Sequence, residues 1–262
     1  MNVQVGRVLV IIATICMFVF MSMIWMIAVK LDNYSIVDIV WGLTFILTTL
    51  VVLLYTGNVN IVSMTIAILV IIWGLRLSIY LFMRNAGKPE DYRYQDMRKK
   101  WGTKVKQTAF VRVFMLQGTV SLLFSLGIFL GISKSETILA LWPVYVGAGI
   151  WLVGFLFESI GDAQLRAFIQ KPENKGKVIT SGLWKYTRHP NYFGESTQWF
   201  GISVIACAVP FGWISFISPL LLTFFLLKIS GVPLLEKKNS QKPGYEEYAA
   251  KTSVFVPMPQ KN

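Results

Sequence analysis

The chain has 262 residues, of which 55% are hydrophobic and only 15% charged, and its mean hydropathy is +0.58. Soluble domains carry about 25% charged residues, so this balance excludes an ordinary soluble domain and indicates an integral membrane protein. The formal charge of +12 raises nucleic acid as a partner, but the basic residues collect between apolar runs, which is the pattern a bilayer imposes, and no nucleic-acid partner is expected.

In chain order, seven apolar runs of spanning length are expected, at roughly Val8–Val29, Ile36–Tyr55, Ile61–Met83, Val113–Ile132, Ile138–Glu158, Gly194–Val209 and Trp213–Val232. The first has a weak basic flank, only Arg7, and reads as a retained helix and not as a cleaved signal. Arg84–Arg112 carries nine Lys/Arg against three acids, Asp162–Arg188 six against two, and the tail from Lys228 six against three. The connections near Gly57, Ser133 and Pro210 carry one Lys between them. Seven spans with an outside N-terminus put every basic segment on the cytoplasmic side. The fold expected is therefore all-α, a single polytopic domain over 1–262, with cytoplasmic loops closing a site at the bundle mouth. Cys16 and Cys207 both lie in apolar runs, which argues against a disulfide framework, and no zinc-type spacing or other metal site is expected.

Polar groups at membrane depth are costly and mark candidate sites. Asp38 opens the second run, with Trp41 one turn on; it is either an interfacial acid or a proton donor inside the bundle. At the end of the third run Arg76, Tyr80 and Arg84 are four apart and stack along one helix face, with Asn85 and Lys88 following. Such a ladder of cations and rings suits a phosphate-bearing cofactor with a flat base. On the fifth run Glu158, Asp162 and Arg166 share helical spacing. They can be surface and capping residues of a helix leaving the membrane, or acids that bind ribose hydroxyls. No GxGxxG follows a strand-like run, so a nucleotide site here is not of the Rossmann kind.

The densest cluster is Ser181–Trp199, SGLWKYTRHPNYFGESTQW. It holds the single histidine, His189, between Arg188 and Pro190, with Tyr186 before it and Asn191, Tyr192 and Glu195 after it. Pro190 suits the first turn of a helix, and His189 is then either an orienting group at the helix start or part of a site.

This RHPNYFGE stretch with Trp199, the WGLR…Y…R ladder and the tail LLEKK…GYEEY…VFVPMP together resemble the steroid 5α-reductase-like membrane proteins, over about residues 37–259. The resemblance implies a membrane enzyme that uses NADPH to reduce the carbon–carbon double bond of a lipophilic enone, such as a 3-oxo-Δ4-steroid, with membrane lipids around it. It implies NADPH contacts at Arg76, Tyr80, Arg84, Asn85, Asp162, Arg166, Tyr186 and Asn191, to which the polar residues read beside them in the sequence, Lys88, Glu158, Arg188, His189 and Tyr192, add further cofactor-binding candidates. It places Glu195 beside the nicotinamide as a catalytic candidate, with Asp38 and Trp73 at the substrate end. Trp73 stands where the steroid enzymes carry a tyrosine, and Asp38 is the nearest acid to their glutamate. The location implied is a bacterial inner membrane with the cofactor site facing the cytoplasm. RHPxY followed by Gly, with an acidic segment near the C-terminus, also resembles the isoprenylcysteine carboxyl methyltransferase-like proteins, which use S-adenosylmethionine.

Overall fold

A computed structural model describes residues 3–261. Among these residues the chain forms helices and no strands; the one β-type contact is an isolated bridge between Thr187 and Ser253. The longer elements of the first part are α1 (Val3–Lys30), a short α2 (Ile36–Ile39), α3 (Trp41–Thr56), α4 (Ile61–Asn85), α5 (Tyr92–Trp101), α6 (Val105–Ala109), α7 (Leu116–Phe124) and α8 (Leu126–Ser133). Then follow α9 (Trp142–Gln170), α10 (Pro190–Ala206), α11 (Ile217–Lys228), α12 (Val232–Asn239) and α13 (Tyr245–Lys251).

Among the described residues, five helical stretches are long and apolar enough to cross a membrane: Gln4–Lys30, Ile61–Asn85, Tyr92–Phe124, Trp142–Gln170 and Gly212–Asn239. Each of the seven expected runs holds helix, but α3 has 16 residues and α10 has 17. At about 1.5 Å per residue these reach roughly 25 Å, short of a hydrocarbon core of about 30 Å. The expected boundaries move in two places. The basic segment before the fourth run is helical from Tyr92, because Asp91 caps it by accepting from the Arg93 amide at 3.0 Å and Arg98, Lys99 and Lys100 sit at its C-terminal end. It continues through a π-helical stretch, Phe110–Met115, into α7. The fifth helix starts at Trp142, not Ile138, with Pro143 in its first turn, and runs on to Gln170, so Glu158, Asp162 and Arg166 all lie within it.

The chain divides into two compact units. The first comprises the chain up to Val144 together with Ala206–Gly212; the second comprises Tyr145–Ile205 and the chain from Trp213 onward.

The first unit packs on Met17, Met21, Val37, Tyr94, Val113 and Phe114, all buried. The opposite face of α1 leaves Ile11, Ile15, Val19, Met23 and Met26 exposed, an apolar surface of the kind a bilayer covers. In this unit α3 and α4 touch at Gly42 and Gly74: a Cβ on Gly42 would stand 2.3 Å from the Gly74 carbonyl oxygen. Without a hydrophobic drive between helices in lipid, small residues that let backbones meet are what hold such pairs.

The second unit repeats that device along one helix. Gly147, Gly154 and Gly161 recur every seven residues on α9, and α10 meets them with Gly201, Gly194 and Pro190. A Cβ on Gly154 would lie 2.6 Å from the Gly194 oxygen, and one on Gly147 2.6 Å from the Gly201 oxygen. These antiparallel helices therefore cross backbone against backbone.

Candidate active site

In the first unit Asp38 is held at both oxygens. Arg93 Nη2 donates to Oδ2 at 2.6 Å and the Tyr94 hydroxyl to Oδ1 at 2.7 Å. Around it Arg93 Nε also meets Asp91 at 2.9 Å, and Arg98 bridges Glu90 at 2.6 Å and Asp32 at 2.7 Å while lying over the Tyr34 ring at 4.3 Å. Asp91 lies outside the spanning helices. Burial alone would raise its carboxyl, but hydrogen bonds from Arg93 and the nearby Arg93 and Arg84 charges hold it below the usual value. Trp73 is buried and meets Phe45 edge-on at 5.3 Å, and Phe45 meets Trp41 in the same way at 5.2 Å. The ladder on α4 is present as a face: the Arg76 and Arg84 guanidinium carbons lie 5.3 and 6.0 Å from the centre of the Tyr80 ring. Arg84 Nε donates to Asn85 Oδ1 at 3.3 Å, and Arg84 and Lys88 are exposed.

In the second unit α10 begins at Pro190, as the proline suggests. The tail runs alongside the segment before it. The Arg188 amide donates to the Ser253 carbonyl at 2.9 Å, the Thr187 hydroxyl to the Phe255 carbonyl at 2.8 Å, and the Met258 amide to the Tyr186 carbonyl at 3.0 Å. The Tyr186 ring is exposed, as is Arg166. Tyr248 donates to the Trp184 carbonyl at 2.6 Å, and Trp184 in turn donates to the Gly161 carbonyl at 3.1 Å, which ties tail, loop and α9 together. Burial raises the Tyr248 phenol above its usual value, so it stays a donor.

At the centre of this arrangement lies Glu236 of α12. It accepts from Arg188 Nε at 3.1 Å and Nη2 at 2.9 Å, from the Tyr245 hydroxyl, and lies 2.9 Å from His189 Nε2. Arg188 Nη1 bonds the carbonyls of Ala249 at 2.6 Å and Thr252 at 2.9 Å. Four of its five N–H groups are thus taken up by the chain itself, which makes Arg188 a fastener of the tail before it is anything else. The Tyr245 phenol is raised well above its usual value, first by burial and then by its hydrogen bond to Glu236 and that residue's charge. His189 is 1% exposed and stacks on Tyr192, with rings 5.6 Å apart and 10° from parallel.

The two acids of α9 meet amides of α10. Gln198 Nε2 donates to Glu158 Oε2 at 2.6 Å, and Asn191 Nδ2 donates to Asp162 Oδ1 at 3.3 Å. Both acids are buried, at 3% and 4% exposure. The other ends of these amides, Asn191 Oδ1 and Gln198 Oε1, are buried with no hydrogen-bond partner, as is His189 Nδ1 just before α10. Glu195 sits one turn after Asn191 on the same face of α10. A buried polar atom without a partner costs about 1–3 kcal/mol, so two of them on α10 and a third on the residue just before it call for an explanation. A cofactor carrying O–H and N–H donors fits these atoms, and the paired amides fit the acids.

The structure thus gathers Glu158, Asp162, Arg188, His189, Asn191, Tyr192 and Glu195 in one unit, and Asp38, Trp73, Arg76, Tyr80, Arg84, Asn85 and Lys88 in the other. Glu236, Tyr245 and Gln198 were not singled out by the sequence pattern. The heptad-spaced glycines of α9 were a usable signal for Gln198, since they mark the α10 face that must lie against it.

Residues 24–252 match the family described as a protein of unknown function, DUF1295. The chain belongs to the DUF1295 family. It is also similar to 3-oxo-5-alpha-steroid 4-dehydrogenase 1 of Macaca fascicularis, 28% identical over 55% of this chain and 49% of that protein. A shorter stretch is similar to the very-long-chain enoyl-CoA reductase of Dictyostelium discoideum, 32% identical over 24% of this chain and 21% of that protein. A third likeness is to a probable O-methyltransferase of Ustilaginoidea virens, 27% identical over 43% of this chain and 36% of that protein. The chain therefore spans about half the length of the steroid dehydrogenase and less of the other two. No solved structure matches it. Together with the apolar helices, the distant likeness to reductases supports a membrane oxidoreductase.

Proposed function

We propose that the protein is a membrane-embedded, NADPH-dependent reductase of a carbon–carbon double bond in a lipophilic enone, such as a 3-oxo-Δ4-steroid or a related lipid. It lies in a bacterial inner membrane with its cofactor site facing the cytoplasm. The observation that carries this reading is the α9–α10 crossing, where Asn191, Gln198 and His189 keep buried polar atoms without partners beside Glu158 and Asp162. NADPH, when bound, supplies the hydride. Asp162 and Glu158 are placed to receive hydroxyl donors, and Asn191 and His189 to fix a bound group in one orientation. Arg76, Tyr80 and Arg84 offer two guanidinium groups flanking a ring, with Lys88 beyond them, a set suited to phosphates and a base.

The proton that completes such a reduction needs an acid at the substrate. Both oxygens of Asp38 accept from fixed donors, so we assign it to anchoring α5. Glu195, on the Asn191 face of α10, is the acid to test. Trp73 shapes the apolar core around Phe45. A bilayer delivers a lipophilic substrate laterally, the cofactor comes from the aqueous side, and nucleic acid has no part in the reaction.

The likeness to a probable O-methyltransferase supports a second reading, an enzyme that uses S-adenosylmethionine. Thermal unfolding of detergent-purified protein with NADPH, NADH or S-adenosylmethionine separates the two. A ligand at a hundred times its dissociation constant adds about 2.7 kcal/mol when it binds the folded state alone. A shift with NADPH that disappears in Asn191→Ala, together with turnover of an enone, is the expected result. A shift with S-adenosylmethionine alone overturns the reductase.

A further inference from the structure

We propose that Glu236 is the positioning residue of this site. It holds His189 in the tautomer that carries its proton on Nε2, so that the buried Nδ1 is presented as a hydrogen-bond acceptor. The inference deepens the reductase reading and rests on it only for the identity of the ligand.

The geometry forces the assignment from three sides. Glu236 already receives Arg188 through two N–H groups and the Tyr245 hydroxyl, and a carboxylate in that company only accepts. The ring nitrogen facing it at 2.9 Å, His189 Nε2, therefore carries the hydrogen. In the neutral ring the other nitrogen is then an acceptor. That nitrogen, Nδ1, is buried and has no partner. The stack on Tyr192 at 10° holds the plane of the ring, and the backbone amide of His189, bonded to the Thr187 hydroxyl at 3.3 Å, holds its base.

The same reasoning applies to the neighbours. The amide nitrogen of Asn191 is drawn to Asp162 and that of Gln198 to Glu158, which leaves the amide oxygens, also acceptors, as the unpartnered atoms. Three unpartnered acceptors, two of them on amides bonded to buried acids, disfavour an anionic group at these atoms. They call for one that brings hydroxyl or amide hydrogens and no negative charge. Glu236 touches none of that group itself. It acts through His189, and it also fastens α12 and the tail to Arg188.

Because His189 is the single histidine of the chain, protein labelled with 15N-histidine gives a one-site reading of the tautomer. The expected spectrum of the wild-type protein in detergent shows protonated Nε2 and unprotonated Nδ1. Glu236→Gln, whose amide can donate as well as accept, is expected to give a mixture of tautomers, whereas Tyr245→Phe keeps the carboxylate and the single tautomer. Wild-type protein with the proton on Nδ1, or a Glu236→Gln variant with an unchanged ring, overturns the proposal, and the wild-type reading stands even if a variant fails to fold. Saturation with NADPH, verified by the thermal shift, is expected to move the Nδ1 resonance. Saturation without that movement removes the ligand-facing role of His189. Absence of any NADPH shift defeats the reductase reading, while the tautomer is still decided by the spectrum without ligand.

Discussion

Each unit of the molecule holds a carboxylate between an arginine and a tyrosine, and the two are built to different ends. Asp38 meets Arg93 and Tyr94; Glu236 meets Arg188 and Tyr245, with His189 added. Around Asp38 the cations are matched by Asp91, Glu90 and Asp32, and no residue of that cluster has a buried atom left over among the described residues. Around Glu236 the neighbouring His189 and Asn191 do have such atoms. A fully satisfied network fixes structure, whereas one that stops short keeps capacity for something else to bind. The sharpest way to break the comparison is Glu236→Ala. The Arg188 side chain is only 10% exposed, so removing its partner is expected to cost about 3 kcal/mol, measured by chemical unfolding in detergent. A loss under about 1 kcal/mol would make the clasp no stronger than a surface pair and erase the distinction.

The next effect concerns how α9 and α10 press their polar groups together. Gly154→Val puts a branched side chain where even a Cβ lies 2.6 Å from the Gly194 carbonyl oxygen and 2.7 Å from the backbone nitrogen of Gln198. The helices must part, at an expected cost of about 1–3 kcal/mol, and the NADPH-induced shift should go with it. A variant of wild-type stability would mean that the crossing gives way cheaply. On the other side of the comparison, Asp38→Asn keeps the shape but removes the charge facing a half-exposed Arg93. It is expected to cost about 1 kcal/mol and to leave kcat and KM unchanged. A large fall in kcat with stability intact would return Asp38 to the chemistry.

The sequence makes these two clusters legible to different degrees. Membrane helices follow from apolar length alone, and the ladder Arg76–Tyr80–Arg84 follows from a spacing of four, because both are local properties. The pairing of Glu158 and Asp162 one turn apart was equally local. Glu236 was not legible: it stands in a basic tail, LLEKK, and acquires its role only when the chain brings it back over 47 residues to His189. The helix from Tyr92 was hidden for another reason. Its nine-cation surroundings read as a loop, although the Asp91 cap and the basic residues at its C-terminal end are ordinary helix signals. Which buried atoms lack a partner is a property of packing and leaves no mark in the sequence.

The smallest stability effect is the most telling about function. Asn191→Leu removes one buried oxygen that has no partner and one long hydrogen bond, 3.3 Å, to Asp162. Losing an unsatisfied acceptor offsets losing a weak bond, so the unfolding free energy is expected to stay within about 0.5 kcal/mol of wild type. Binding should not survive in the same way, and the thermal shift with NADPH is expected to vanish. That combination, a neutral change in folding with a lost ligand, is what a site that keeps its acceptors in reserve predicts. The Asp38 cluster can give no such result, because no buried side-chain atom in it lacks a partner. If Asn191→Leu instead unfolds the protein while the corresponding change at Asp38 abolishes binding, the roles of the two units are reversed.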